Sequence, residues 1–393
     1  MKTWLPVILL LLLVSCVSPD LELPSDIQSL KNLTVYDANQ EPSRNISLHP
    51  EQTFSDTGQT LIGSLTDFEV DDQGRVYLAD GEQLTVHVYN RDGEVVSRLG
   101  REGRGPGEFQ SIEGLQMAAG RLFIDDNSLD RTTIYSTDSL VHVGTIDLAY
   151  SQGDVEELGR YSRAYLEDYL ARSDGNLLLR FVSYDMSDKG KYDAYRETDH
   201  YYRLSENEEL DGQEWLELPA ETGALLPIGP RVMGFNVAFY GRHLRRLSSD
   251  DRLFTATPPH FLVKVYDAEG NYRRAFYHPY EGVPLTQANA DKAGLEDYVL
   301  QGMSQLELPD TWPAINDMVI DDQNRLWVAT IVEDFNMYEW WVLDEQGELL
   351  AQFRWPRHRT VEVVRDGKLY AMVEDTTTGV NEVVRWDIDL GDE

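Results

Sequence analysis

Three aspartates, Asp67, Asp168 and Asp317, stand at matching places in three separate stretches of this chain. Each lies eight residues ahead of a basic or polar residue that opens a β-rich run: Arg75, Asn176 and Arg325. Carboxylates brought together from distant stretches offer the hard oxygen ligands that Ca²⁺ favours. They can equally meet an amine, or simply cap nearby backbone N–H groups. Glu113 and Asn316 are adjacent polar candidates for the same site, and the corresponding places in three further stretches hold, roughly, Gly114, Leu244 and Val361. Covalent catalysis finds no obvious nucleophile: there is no G-x-S-x-G elbow, and the chain's 1 cysteine, Cys16, lies near its N-terminus. The 8 histidines are scattered, with no H-E-x-x-H pair to suggest zinc. The glycine-rich loop from Gly100 to Phe109 lacks the G-K-[ST] ending and the following helix of a phosphate-binding loop. Asp71-Asp72-Gln73-Gly74 and Asp321-Asp322-Gln323-Asn324 begin like calcium loops but lack the distal glutamate, so they read as hairpin turns.

The elements that position these aspartates are legible between Asp67 and Phe109. A β-rich run, a D-D-x-G turn, a second run, a third ending at Tyr89, the turn Asn90-Arg91-Asp92-Gly93 and a fourth ending at Leu99 make a four-stranded antiparallel meander. The unit recurs. Its marker residues are Arg75, Arg121, Asn176, Arg252, Arg325 and Lys368, at intervals of 46, 55, 76, 73 and 43 residues. An interval near 45 suits one four-stranded blade of a propeller. The second half of the unit is echoed at Leu262–Gly270 and Trp341–Gly347, with aromatic and β-branched residues where strands favour them.

The sixth unit has no room for a fourth strand before the chain ends. The segment Arg44 to Phe54 is expected to supply it, because closing a propeller with the opposite terminus removes an open sheet edge. The long intervals locate insertions. Thr286 to Val299, rich in alanine, acids and leucine, is expected to include a short helix between the fourth and fifth units. Pro219 to Arg231 reads as a linker, and Tyr184 to His200, with Tyr184, Tyr192 and Tyr195, as a polar hairpin extension. Such insertions gather on one face of repeat proteins, often the binding face. Trp312, Trp340, Trp341 and Trp355 lie near loops or blade edges, where they could stack on a sugar or peptide.

Net charge is −35 with a pI near 4.4, which repels nucleic acid and anionic headgroups; the spread acids read as a solvated exterior, with a cationic ligand as the sharper alternative. At the N-terminus Lys2, an apolar run from Val7 to Val14 and a small-residue site at Leu13-Val14-Ser15-Cys16 describe an export signal, too short to span a bilayer. Residues 17–40, with Pro19, Pro24 and several acids, read as part of a tether.

These features carry a resemblance. D-x-x-G-R-V-Y-L-A-D, V-x-V-Y-N-x-D-G and G-R-x-G-x-G-P-G-E-F resemble NHL-type six-bladed β-propellers, and most closely the propeller lipoproteins common in Bacteroidetes-like bacteria. L-V-S-C resembles the lipobox at which such proteins are cleaved and lipidated, here on Cys16. The expectation is an all-β chain. Residues 1–15 would be a lipoprotein signal peptide, 16–40 a lipid-anchored tether and 41–393 a single six-bladed propeller of four-stranded antiparallel blades. It would sit on the bacterial cell envelope, facing the periplasm or the surface, as a non-catalytic module binding a small molecule, glycan, peptide or partner protein. Asp67, Asp168 and Asp317 would then begin innermost strands beside the central channel. The alternative is a metal-dependent hydrolase, lactonase or lyase with its metal, Ca²⁺ or another, in that channel.

Overall fold

A computed structural model describes residues 23–55, 61–161, 163–184, 194–205, 207–228, 231–296, 299–300, 303, 306, 308–375 and 379–391. Cys16, the signal-like segment and Tyr192 lie outside them. Six antiparallel sheets follow one another along the chain, each with its first strand innermost. Blade 1 comprises Leu65–Val70, Val76–Asp80, Thr85–Tyr89 and Val95–Leu99. The inner strands of blades 2 to 6 are Leu115–Ala118, Ala164–Ala171, Leu244–Leu247, Ile315–Ile320 and Arg359–Arg365. All six line one central channel. No helix among the described residues is long and apolar enough to cross a membrane.

The recurring marker has a specific physical role. Asp71 closes the inner turn of blade 1 by accepting from the backbone N–H of Gln73 and Arg75 (both 2.9 Å), while its other oxygen takes Arg75 Nε at 2.6 Å and the Tyr77 hydroxyl at 2.8 Å. Asp321 repeats this in blade 5 with Gln323, Arg325 and Trp327 Nε1. The D-D-Q turns are thus structural, as their sequence suggests.

Blades pack face to face through apolar clusters, one of which joins Trp327 and Trp340 of blade 5 to Val364, Leu369 and Trp386 of blade 6. Each fully buried tryptophan removes on the order of 200 Å² from water, worth about 5 kcal/mol in transfer terms. The expected stacking platform is absent for that reason. Trp312, Trp340 and Trp355 are buried, and Trp341 is half-buried against Phe261 and His278. They stabilise the propeller rather than face a ligand.

Closure follows the expected strand. Ile46–Phe54 pairs antiparallel with Asn381–Leu390 as the outer strand of blade 6, and Phe54 is fully buried. Part of the stretch expected to be a tether packs on the propeller. Ser25–Gln28 forms one helical turn whose Ile27 is buried against Leu262 and Ala275, and Leu33–Val35 adds parallel to the edge of blade 4. Pro219 to Arg231 is not a linker. The outer strand of blade 3 runs from Leu216 to Ile228 and pairs with Arg231–Asn236. The ring of Tyr195 lies over Gly223 and Gly234, where a side chain on Gly223 would overlap it. The expected helix is present at Gln287–Lys292, capped by the Thr286 hydroxyl, and anchors a small apolar core with Val237, Phe239 and Trp312.

Candidate functional site

A repeated backbone irregularity turns side chains into the channel. The inner strands of blades 1, 3 and 5 carry a β-bulge at Thr66, Glu167 and Asn316, each immediately before the aspartate singled out by spacing. A bulge kinks the strand and re-aims the next side chain. Asp67, Asp168 and Asp317 accordingly line one cavity of about 710 Å³ at the propeller's centre. Glu113 and Asn316 are not part of its wall. Glu113 lines a neighbouring cleft between blades 2 and 3 with Asp125 and Tyr169, and Asn316 is itself the bulged residue.

The three aspartates share the cavity without forming a chelate. The one group of described carboxylates and imidazoles within metal-binding reach is His200, Glu214 and Glu217, away from the channel wall. There Arg160 already pairs with Glu217 at 3.0 Å. In the channel, Asp168 receives Arg180 in a two-pronged pair at 2.7 and 2.6 Å. Arg180 also reaches the buried Asp199 at 2.9 Å, and Asp199 in turn accepts from Arg245 Nε at 2.6 Å. Arg246 binds Asp317 at 3.1 Å. Charge therefore alternates around blades 3, 4 and 5, each carboxylate answered by a guanidinium, the strong geometry for such pairs.

The alternation breaks at blades 6 and 1. Glu362, the bulged residue of the blade 6 inner strand, hydrogen-bonds the side chain of Asp67. Asp67 also accepts from the backbone N–H of Phe68 at 2.8 Å and of Leu115, on blade 2, at 2.7 Å. Burial raises both carboxyls above their ordinary range, Glu362 further because the Asp67 charge adds to it. The two amides pull Asp67 back toward its ionised form. Two carboxyls both raised by burial, with Glu362 raised further by the Asp67 charge, form the arrangement in which like groups share one proton. Glu69, two residues along the same strand, is pushed to about 8 by burial and then by the Asp67 charge. Its surface opens on the channel lumen rather than on bulk solvent, which is why partial exposure does not restore an ordinary carboxylate. In the adjoining cleft Asp125 rises to about 6 through burial, opposed by hydrogen bonds from Tyr169 and Thr132.

Opposite this acidic sector stands the segment Arg242-His243-Leu244-Arg245-Arg246, entering and forming the inner strand of blade 4. Burial lowers the His243 imidazole to about 4, with the Arg245 charge adding, so it is neutral at pH 7. Spacing from the markers points at Leu244 and passes over these arginines. Three arginines and a histidine within five residues of a chain at −35 were the available signal. Glu362 is hidden by a different cause. The inner turn of blade 6 is only Asp366-Gly367, so counting back from Lys368 overshoots the bulge. The loop from Gly100 to Phe109 holds its own anion: Glu108 accepts from the amides of Arg104 (3.0 Å) and Gly105 (2.8 Å), leaving no phosphate cradle.

Residues 55–216 match the family described as 6-bladed beta-propeller. Among solved structures, a Bacteroides fragilis protein described as exported is 12% identical with a TM-score of 0.50, covering 92% of this chain and 99% of that one. A member of the DUF4221 family from Bacteroides vulgatus is 11% identical with a TM-score of 0.50, covering 89% of this chain and 100% of that one. Such identities express a common fold. No curated protein matches the chain.

Proposed function

We propose that this six-bladed β-propeller is an exported, lipid-anchored envelope protein that binds a small polar molecule, without transforming it, in its central channel. The observation that carries the reading is the Asp67–Glu362 pair inside a cavity of about 710 Å³. Two carboxyls held together in a partly closed space cannot both ionise without cost, and strongly perturbed groups in a cleft mark functional sites. Asp168 and Asp317 in the same channel are each answered by a guanidinium, whereas Asp67 and Glu362 face one another. The two-pronged and charge-assisted pairs on Asp168 and Asp317 argue for binding over metal chemistry, because a dication there would have to displace guanidinium groups. The signal-like N-terminus, with the lone Cys16 after Leu-Val-Ser, supports export and lipid anchoring, in keeping with the description of the Bacteroides fragilis relative as exported.

Thr360 is exposed on the channel wall, so Thr360→Trp narrows the lumen without disturbing the core. Screening polar metabolites by thermal shift tests the reading. At least one compound should stabilise the wild type, and its effect should vanish in Thr360→Trp. Stabilisation that persists in the plugged variant, or no stabilising compound at all, would overturn a channel ligand site.

A further inference from the structure

Resting on the channel as the ligand site, we infer that its ligand is a hydroxylated organic anion of the sugar-acid class. Its acid group would seat on Arg242, Arg245 and Arg246, and its hydroxyls would face Glu362 and Glu69. This reverses the cationic ligand that the overall charge suggests.

Four guanidinium groups belong to the channel wall, and they are not equally committed. Arg180 spends its head on Asp168 and Asp199. Arg245 uses only Nε on Asp199, and its Nη2 is buried with no hydrogen-bond partner among the described residues. A buried charged donor left unmatched is costly, and an oxyanion that reached it would relieve that cost. Arg246 gives Nη2 to Asp317 at 3.1 Å and Nη1 to the Arg245 carbonyl at 2.9 Å, yet its side chain stays 43% exposed, so donors remain for a further acceptor. Arg242 is exposed where the segment enters the channel, placed to meet an arriving anion. Planar forked guanidinium groups clustered on one wall suit a carboxylate better than single ammonium charges would.

The opposite wall carries less negative charge than its three carboxyls suggest. At neutral pH Glu69 is largely protonated, and burial with the Asp67 charge favours the protonated form of Glu362, so the wall offers hydrogen-bond donors. Donors facing guanidinium groups across a polar cavity match a molecule with hydroxyls at one end and an acid at the other. A bare inorganic anion would satisfy only the arginine side. An amine would face Arg245 and Arg246 at close range.

Isothermal titration of the full chain at pH 7 with glucuronate, glucose, glucosamine and inorganic phosphate tests the class. Glucuronate should bind at least tenfold more tightly than glucose or phosphate, and glucosamine should not bind. Arg242→Gln, at an exposed position, should weaken glucuronate at least tenfold with an unchanged melting temperature, and Arg246→Gln should weaken it as much while also lowering the melting temperature, because Asp317 loses its partner. Thr360→Trp should abolish binding. Glucosamine binding that Thr360→Trp abolishes overturns the anion assignment and leaves the channel site standing. Glucuronate binding that survives Thr360→Trp overturns both. Equal affinity for phosphate, equal affinity in the arginine variants, or no binding by any probe also overturns the assignment.

Discussion

Replacing Glu69 by glutamine probes the electrostatics of the acidic sector directly. Glu69 faces the channel beside Asp67, with Oε2 accepting from the Val70 amide at 3.3 Å. Burial, with the Asp67 charge adding, lifts its carboxyl from 4.5 to about 8. The folded protein therefore holds this proton more tightly than the unfolded chain does. Between pH 4.5 and about 8 unfolding releases this proton, so the Glu69 contribution to stability falls as pH rises through that window and is flat outside it. At about 1.36 kcal/mol per unit, the full shift corresponds to roughly 5 kcal/mol of ionisation cost above pH 8. Water in the lumen reduces this to about 3–5 kcal/mol. Glutamine keeps the shape and the acceptor for Val70 but never ionises. Near pH 4.5 the two proteins should unfold at the same temperature. By pH 9 Glu69→Gln should melt about 4–7 °C higher, taking roughly 2.1 cal/mol/K per residue over about 350 folded residues. Calorimetric or circular-dichroism melts at intervals of half a pH unit read the gap. A difference that does not grow between pH 4.5 and 8, or a variant less stable than wild type at pH 9, would refute the reasoning.

The turn chemistry and the anchor give two further tests. Asp321→Ala leaves Arg325, the Trp327 indole N–H and two backbone amides without their acceptor, at a position 3% exposed, and should cost about 3–5 kcal/mol in urea unfolding. Asp72→Ala, at a carboxylate 92% exposed, should change stability by less than about 0.5 kcal/mol, and similar losses at both positions would contradict the structural role given to Asp321. Expressed with its own N-terminus in a lipoprotein-processing bacterium, the chain should incorporate labelled palmitate, and Cys16→Ala should not. Equal labelling would end the lipid-anchor proposal.

The fold was open to reading because each blade repeats a local hydrogen-bonding device. Asp71 with Arg75 and Asp321 with Arg325 leave the same letters at the same spacing, and the missing strand of the last unit points to its donor at Ile46–Phe54. Leu33–Val35 was hidden because three residues carry no periodicity. The Gly/Pro content of Pro219–Arg231 signals a linker. Here Gly223 and Gly234 instead make room for the Tyr195 ring within a long hairpin, a tertiary reason that local propensity cannot show. The site was half legible. Asp67, Asp168 and Asp317 do face one cavity, because the bulge before each of them recurs with the repeat. Their chemistry was not legible. Arg180 sits on the second strand of its own blade and Arg246 on a neighbouring blade, so the neutralisation of Asp168 and Asp317 depends on cross-strand and cross-blade geometry. Glu362 escaped because the short turn at Asp366-Gly367 breaks the count.

The central claim is tested most directly by a crystal structure of the protein soaked with glucuronate at pH 7. The account predicts the sugar acid inside the channel, its carboxylate about 3 Å from the Arg245 and Arg246 guanidinium groups and a hydroxyl on Glu362. A divalent cation held by Asp67 and Asp317, or a channel holding no sugar acid while the molecule binds on the outer surface, would contradict it.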